Sequence, residues 1–341
     1  PEQAVSMLTE TNLLDLGARA QEIRFQKNPA RAVTFVIDSN PNYTNVCVTD
    51  CSFCAFYRKP GAKDSYTLTV EQVMDKVKNA SERGATTVLL QGGHNPDLPL
   101  EYYLELVRET RRRFPKITPH FFTASEVQTM SQVSGLTVRD VLEKLLEAGQ
   151  VSLPGGGAEV LSERVRKLVS PKKGGPEKWL EVHRAAHQIG MKSTATMMYG
   201  HLEKPEDIVE HLEHIRRLQD ETKGFTAFVP WSFKPNNTTL NKKVPAGASS
   251  NYYLRMLAFA RIYLDNFPHV QASWFSEGKK TGQTALHFGA DDFGGTLFEE
   301  NVHRATDHIN TTTLDETKML IREAGFQPVQ RDTLYNIIKK F

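Results

Sequence analysis

The chain has 341 residues, of which 39% are hydrophobic and 24% are charged, and its net charge is +2. This composition is typical of a globular protein, and it excludes the strong basic field of many nucleic-acid and membrane-surface proteins. The sequence has no run of 18 apolar residues, so we expect no membrane-spanning helix. The first residues, Pro1 to Ala4, resemble no signal peptide, and we therefore expect a cytoplasmic protein.

Residues 1–30 are predicted to form an N-terminal helical lead-in. From residue 33 onward, short β-type runs alternate with amphipathic helical patterns about eight times. The predicted strands are 33–37, 87–90, 117–122, a short segment before Pro154, 192–197, 225–229, 269–273 and a weaker segment ending by Phe288. This pattern predicts an α/β fold, a (β/α)8 TIM-type barrel over residues 31–310, with a doubly wound open sheet as the alternative. Residues 311–341 are predicted as a helical C-terminal extension packed on the barrel, with a helix from Leu314 to Ala324.

Local signals mark several helix boundaries. Thr69 and Gln72 have the spacing of a capping box before an apolar helical face, and Gly84 is typical of the position where such a helix ends. Pro205 is predicted to begin a later helix, because proline is favoured in the first helical turn.

All three cysteines of the chain, Cys47, Cys51 and Cys54, follow the first predicted strand with C-x3-C-x2-C spacing. A disulfide framework would need an even number of cysteines and a secreted protein. A zinc site would need a fourth ligand, and the nearest candidate, His94, lies in a different segment. Three clustered thiolates favour a soft-metal site, and on a four-iron cluster they would leave one iron open to another ligand.

In a β/α barrel the active site lies at the carboxyl ends of the strands. The cysteines follow the first predicted strand, and distinctive residues follow the others. These are Gly92 and Gly93, Ser125 and Glu126, Gly155 to Glu159, Thr196, Tyr199 and His201, Trp231, Phe233 and Lys234, Trp274, and Asp291 to Gly295. We therefore expect a functional site on one face of the barrel.

The cysteine motif, with Phe53 before its last cysteine, resembles the signature of the radical S-adenosylmethionine (SAM) superfamily. The segments 42–47, 54–58, 91–96, 154–159, 196–201 and 289–295 are similar to one branch of it, which serves the menaquinone (futalosine) pathway and deazaflavin synthesis. Residues 220–231 and 330–335 most resemble the cyclase of the futalosine pathway.

The resemblance implies two cofactors, a [4Fe-4S] cluster held by Cys47, Cys51 and Cys54, and SAM bound at the open iron. It also implies that a 5′-deoxyadenosyl radical takes hydrogen from ribose C4′ of dehypoxanthine futalosine, after which the ribose carbon adds to the benzoate ring. The partners expected are this nucleoside-derived small molecule and a one-electron donor such as flavodoxin or ferredoxin, with no nucleic acid and no membrane.

The same resemblance implies roles for individual side chains. Phe53, Gly92, Gly93, Glu126, Glu159 and Lys173 are expected to bind SAM, whereas Arg58, Tyr199, Trp231, Lys234 and Trp274 are expected to bind the substrate. His201 or Glu126 is expected to act as the catalytic base. Each has a structural alternative, such as a glycine turn, a helix N-terminal charge, a solvated lysine or a core aromatic residue.

Two other functions remain open from the sequence. One is a sibling radical enzyme, either aminofutalosine synthase or a deazaflavin-forming enzyme. The other is a non-catalytic iron–sulfur electron carrier, which eight β–α units argue against because a carrier rarely needs so large a pocket.

Overall fold

The structure is a computed structural model that describes residues 2–341. Its strands are β1 (Ala32–Val36), β2 (Asp38–Ser39), β3 (Thr87–Leu90), β4 (Thr118–Phe121), β5 (Ser152–Leu153), β6 (Lys192–Tyr199), β7 (Phe225–Ser232), β8 (His269–Val270), β9 (Asp292–Gly295), β10 (Gln327–Arg331) and β11 (Ile337–Lys340). Its helices are α1 (Glu2–Glu10), α2 (Leu13–Lys27), α3 (Val70–Glu82), α4 (Leu100–Arg113), α5 (Ala124–Ser134), α6 (Val138–Ala148), α7 (Glu163–Val169), α8 (Pro176–Gln188), α9 (Pro205–Thr222), α10 (Ser250–Tyr263), α11 (Trp274–Glu277), α12 (Lys279–Ala285) and α13 (Leu314–Glu323). None of the helices within residues 2–341 is both long and apolar enough to cross a membrane.

The strands form three sheets, ordered β11-β10-β1-β9, β2-β3-β4 and β5-β6-β7-β8. Each pair formed among the strands from β1 to β10 is parallel. β2 continues β1 after Ile37, and a parallel bridge from Gln271 to Asp292 links β8 to β9. The result is a TIM-barrel-like α/β fold whose three sheets follow one another without forming one closed ladder.

Side chains connect the two sheets where the ladder is interrupted, between β4 and β5. The amide of Gln150 donates to the carbonyl oxygen of Phe121 at 2.8 Å, and His120 Nδ1 lies 2.9 Å from Ser152 Oγ. All four residues are buried, so these hydrogen bonds replace missing backbone pairs in a place that water does not reach.

The C-terminal extension differs from the prediction, because it is not only helical. After α13 the chain forms β10, which pairs in parallel with β1, and β11, which folds back on β10. β10 is held by Arg331, whose guanidinium donates to both carboxylate oxygens of Asp292 on β9. The local pattern could not predict this strand, since its partner lies near the other end of the chain.

Most other predicted elements are present. The capping box of Thr69 and Gln72 forms and starts α3, and Pro205 starts α9. The predicted eighth barrel strand, which ends by Phe288, lies too early in the chain. The observed strand β9 begins at Asp292, and most of the chain from Trp274 to Ala285 is helical. The predicted lead-in contains α1 and α2; the domain boundaries remain a prediction.

Candidate functional site

The cysteine loop, residues 40–58, is held in place by backbone hydrogen bonds. The amide of Cys47 donates to the carbonyl oxygen of Arg58 at 2.8 Å, and the amide of Arg58 donates to the carbonyl oxygen of Asn45 at 2.7 Å. The three thiols are free, with Cys47 and Cys51 buried and Cys54 half-buried. The chain therefore presents three reduced thiols from a loop that needs no disulfide to keep its shape.

The Thr49 hydroxyl lies between two of the three thiols. Its Oγ1 is 2.9 Å from Cys47 Sγ and 3.7 Å from Cys51 Sγ. The loop thus keeps these two sulfur atoms close together around one hydroxyl group.

A cavity of about 170 Å³, here called the cofactor cavity, opens beside the cysteines. The six residues predicted to bind SAM all line it: Phe53, Gly92, Gly93, Glu126, Glu159 and Lys173. Strand order predicted that Gly92, Gly93, Glu126 and Glu159 share one face, the resemblance added Phe53 and Lys173, and the structure places all six around one space. Their roles in binding remain a prediction.

Gly92 and Gly93 are required by close packing of the chain. A Cβ atom on Gly92 would lie 2.6 Å from the ring of Tyr43, and one on Gly93 would lie 2.1 Å from the carbonyl oxygen of Val46. Any larger residue would push the cysteine loop away, so these glycines let β3 end directly against that loop.

Glu126 is fully engaged by hydrogen bonds. Its Oε1 accepts from the Tyr43 hydroxyl at 2.6 Å and the Gly92 amide at 2.9 Å, and its Oε2 accepts from the amide and hydroxyl of Thr123, both at 2.7 Å. Four donors fill the lone pairs of a carboxylate. Burial raises the pKa of Glu126. The carboxylate thus fastens the start of α5 to the cysteine loop, and we no longer assign it the role of base.

Lys173 and Glu159 form a buried ion pair on the wall of the cofactor cavity. Lys173 Nζ lies 2.7 Å from Glu159 Oε1 and 5.6 Å from the centre of the Phe53 ring. Burial alone would lower the pKa of Lys173, but the Glu159 carboxylate outweighs that effect and the pKa is raised. The pair therefore offers one positive and one negative group to a zwitterionic ligand.

A second cavity of about 200 Å³, here called the substrate cavity, lies inside the strands. It shares Gln91, Gly156, Trp231 and Val302 with the cofactor cavity, so the two spaces are contiguous. Its polar lining includes Asp38, Asn40, Thr87, His120, Thr194, Thr196, Gln271, Glu300, His303, Arg331, Thr333 and Tyr335. The last three show that the C-terminal extension forms part of the cavity wall.

Several buried polar atoms of the substrate cavity have no hydrogen-bond partner within residues 2–341. They are Asn40 Oδ1, both ring nitrogens of His303 and the Tyr335 hydroxyl. Such atoms are rare in folded proteins, because burial without a partner costs about 1–3 kcal/mol each. Their presence in one cavity indicates a polar ligand.

The comparisons with known proteins agree with this geometry. Residues 41–215 match the model of the radical SAM superfamily, and residues 222–340 match the model described as the CofH/MqnC C-terminal region. The chain belongs to the radical SAM superfamily.

Similar radical SAM enzymes cover almost the whole chain. Cyclic dehypoxanthine futalosine synthases of Halalkalibacterium halodurans and Streptomyces coelicolor are 42% and 40% identical to it, over 100% and 98% of this chain and 91% and 84% of their own. A 5-amino-6-(D-ribitylamino)uracil–L-tyrosine 4-hydroxyphenyl transferase of Methanopyrus kandleri is 42% identical over 91% of this chain and 85% of its own. The crystal structure of methylornithine synthase matches with a TM-score of 0.74 at 16% identity, covering 96% of this chain and 93% of its own, and supports the fold alone.

A radical SAM enzyme uses a [4Fe-4S] cluster and SAM, and the residues present fit both. The cysteines supply three free thiols on one loop, and thiols are the ligands that an iron–sulfur cluster takes. Beside them, the cofactor cavity offers the Lys173–Glu159 pair and an aromatic ring, groups that match an amino acid and a nucleobase. The apolar walls and the few polar groups of the substrate cavity suit a small-molecule substrate.

Five other predicted residues of this radical SAM enzyme line neither cavity, and their roles remain a prediction: Arg58, Tyr199, His201, Lys234 and Trp274. Tyr199 and Trp274 are fully buried in the core, and the Trp274 indole donates to the carbonyl oxygen of Gly295. Lys234 donates to Ser232 Oγ at 2.8 Å. Of the predicted substrate-binding residues, Trp231 lines both cavities.

Arg58 and His201 have structural roles. The Arg58 guanidinium donates to the carbonyl oxygens of Ala55 and Tyr57 and pairs with Asp64, so it shapes the cysteine loop. His201 accepts from the amide of Leu202 at 2.7 Å through Nδ1, which leaves Nε2 to donate to the carbonyl oxygen of Met198 at 2.9 Å. With both ring nitrogens occupied, His201 is no longer our candidate for the base.

The sequence interpretation missed Asp38 and His303, and it missed Arg331 and Tyr335 as site residues. Asp38 directly follows the first strand, which is a signal that could have found it. Burial raises the pKa of Asp38 to about 7, and burial lowers the pKa of His303 to about 3. His303 follows no strand and belongs to no motif, so nothing local pointed to it.

Proposed function

We propose that this radical SAM enzyme converts dehypoxanthine futalosine to cyclic dehypoxanthine futalosine in menaquinone biosynthesis. The observation that carries the proposal is the contiguity of the two cavities, because a radical made in one must reach a substrate in the other. The high identity to two cyclic dehypoxanthine futalosine synthases over nearly the full chain supports this substrate. The proposal includes a (β/α)8 barrel whose strand ends carry the site, and a cytoplasmic location.

On this proposal the chain's own residues hold and align the reactants. Cys47, Cys51 and Cys54 hold the cluster, while Lys173 binds the carboxylate of SAM and Glu159 binds its ammonium group. When bound, these cofactors supply a carbon radical strong enough to remove hydrogen from ribose C4′. Phe53 packs against the adenine, and the tight contacts of Gly92 and Gly93 keep the loop fixed.

The substrate cavity receives the nucleoside-derived substrate. Asp38 and Asn40 accept hydrogen bonds from its hydroxyl groups, and Arg331 faces its benzoate carboxylate at the wall formed by the C-terminal extension. Trp231 lies where the cavities meet and packs against the reacting part of the substrate. Holding both carbons near each other lowers the entropic cost of forming the new bond.

We also propose that a small acidic electron carrier, such as flavodoxin or ferredoxin, docks over the cysteine loop. Exposed lysines surround this loop on three segments: Lys59 and Lys63, Lys172, and Lys242 and Lys243. Lys172 Nζ donates to the carbonyl oxygen of Val48, and the amide of Leu240 donates to the carbonyl oxygen of Ser52, so these segments contact the loop itself. Such a basic patch would attract an acidic partner.

The test is a product assay with reduced, reconstituted protein under anaerobic conditions. With SAM and dehypoxanthine futalosine we expect a product two hydrogen atoms lighter than the substrate, and no product from Cys54→Ser protein. The second candidate comes from the Methanopyrus kandleri relative, so 5-amino-6-(D-ribitylamino)uracil with L-tyrosine is assayed in parallel. Turnover of that mixture alone would replace the proposal, and SAM left uncleaved in both would favour an electron carrier.

A further inference from the structure

His303 is the most unusual side chain of the substrate cavity. It is 8% exposed, it lines the cavity, and neither ring nitrogen finds a hydrogen-bond partner within the described chain. Glu300 Oε2 lies 3.7 Å from Nδ1, which is too far for a hydrogen bond. A buried imidazole with two free nitrogens is costly, which indicates a ligand that uses it.

The position of His303 brings it close to the reacting part of the substrate. The Trp231 ring meets its imidazole edge-to-face with the ring centres 5.4 Å apart, and Val302 is its neighbour in the chain. Trp231 and Val302 line both cavities. His303 therefore lies beside the junction of the two cavities, where on the proposed function the radical formed in the cofactor cavity meets the substrate.

The other candidate bases are occupied or lie elsewhere. Glu126 and His201 are saturated by the hydrogen bonds described above. Glu300 accepts from the amides of Val302 and His303 at 2.9 Å each. Asp38 and His120 lie lower in the barrel, since Asp38 pairs with the first residue of β3 and His120 with Leu89, whereas the cavities meet at Gln91 beyond its end.

We propose that His303 accepts the proton that leaves the aromatic ring when cyclisation is completed. This inference rests on the proposed function. The radical at ribose C4′ forms a bond to a ring carbon, and a one-electron acceptor of the iron–sulfur class takes the unpaired electron left on the ring. The C–H bond at that ring carbon then breaks, its electron pair restores aromaticity, and its proton passes to a ring nitrogen of His303.

The surroundings of His303 suit this role. Its imidazole is neutral at neutral pH because burial lowers its pKa, so a lone pair is available. Lys234 and His308 are nearby and oppose a positive charge there, whereas the Glu300 carboxyl group lies beside Nδ1 and favours it. The proton lost from an oxidised ring is very acidic, so even a weak base can take it.

The experiment compares the wild-type protein with His303→Gln, and uses His308→Gln as the matched control. His308 lies close to His303, with 5.9 Å between ring centres, but lines neither the cofactor nor the substrate cavity. Two products are measured with dehypoxanthine futalosine, namely 5′-deoxyadenosine and the cyclised nucleoside. Thermal unfolding and substrate affinity are measured on the same preparations.

We expect His303→Gln to form cyclised product about 100-fold more slowly, the usual contribution of a positioned base, while 5′-deoxyadenosine formation changes less than about 3-fold and substrate affinity is kept. His308→Gln removes only a group that opposes positive charge on His303, so it should form both products at close to the wild-type rate. Imidazole added to His303→Ala should restore part of the cyclisation. If His303 had only a structural role, its replacement would slow the formation of both products together.

Three results would overturn the inference. They are equal cyclisation by His303→Gln and wild type, a parallel fall of both products, or no effect of imidazole on His303→Ala. A wild-type protein that forms no cyclised product would instead overturn the proposed function, and the inference with it.

Discussion

The hydroxyl of Tyr43 donates to Glu126 Oε1 at 2.6 Å and ties the cysteine loop to the start of α5. Both residues are buried, and Tyr43 also packs under Gly92, so one contact links the loop, β3 and α5. The orientation of the loop relative to the cofactor cavity depends on this link.

Replacing Tyr43 with phenylalanine should therefore be costly. A hydrogen bond to a carboxylate contributes about 1.5–3 kcal/mol, so we expect Tyr43→Phe to lose about 2 kcal/mol of unfolding free energy. Tyr102→Phe, which removes a bond to the carbonyl oxygen of Leu68, should lose about 1 kcal/mol. Urea titration monitored by circular dichroism measures the unfolding free energy of both variants. Equal losses would show that the hydrogen bond to the Glu126 carboxylate is no stronger than the one to the Leu68 carbonyl oxygen.

Cys54→Ser should separate folding from cofactor content. The backbone amides of Phe56 and Tyr57 donate to the Cys54 side chain, and a serine oxygen can accept from them too, so we expect the cluster-free proteins to melt at nearly the same temperature. Anaerobically prepared wild-type protein should contain about four irons per chain, and Cys54→Ser far fewer. Ser52→Ala, a neighbouring change in the same loop, should keep the iron. Full iron and SAM cleavage in Cys54→Ser would remove this cysteine from the ligand set.

Lys173→Met should leave the buried carboxylate of Glu159 without its partner. We expect a loss of about 3 kcal/mol in unfolding free energy, which the double variant with Glu159→Leu largely recovers. Lys172→Met, which breaks the exposed pair with Asp50, should cost less than about 1 kcal/mol. Equilibrium dialysis should show weaker SAM binding by both the single and the double variant. Unchanged SAM affinity would place the ion pair outside the binding site.

Asp38 should make stability depend on pH. Burial raises the pKa of Asp38 to about 7 in the folded protein, although nearby Arg331 acts to lower it. The contribution of protonated Asp38 to the unfolding free energy is therefore fully present below about pH 4 and is lost as the pH rises through 7. Asp38→Asn removes this loss, on the order of 4 kcal/mol at most. The unfolding free energy should thus fall less between pH 5 and pH 8 in Asp38→Asn than in wild type. Asp97→Asn, at an exposed position, should change nothing, and parallel pH curves for Asp38→Asn and wild type would contradict the assignment.

The cofactor side of the site could be predicted because its signals are local. Three cysteines within eight residues, and glycines directly after a strand, can be recognised without knowing which distant segments they contact. The substrate side could not be predicted as well. Side chains alternate along a strand, and from spacing alone Trp231 and Tyr199 were equivalent although one lines the cavities and the other is buried behind them.

Local sequence patterns also could not predict the contacts between distant segments. Arg331 reaches Asp292, and Thr333 Oγ1 lies 2.6 Å from Thr87 Oγ1, across large separations in the chain. Neither hydrophobic periodicity nor a helix-capping signal indicates such pairs in the sequence. The loop that carries His303 also lacks both signals. The sequence therefore predicted the strand order of the fold better than the wall of its inner cavity.

The place of β10 beside β1 affects how the protein is made. Ala32 to Phe35 are translated 295 residues (327 − 32) before their partners at Gln327 to Gln330. At about 5–20 residues per second, this edge waits on the order of 15–60 seconds with unpaired backbone groups. An exposed strand edge is a site of aggregation, so the newborn chain should depend on a chaperone for longer than its helices would suggest.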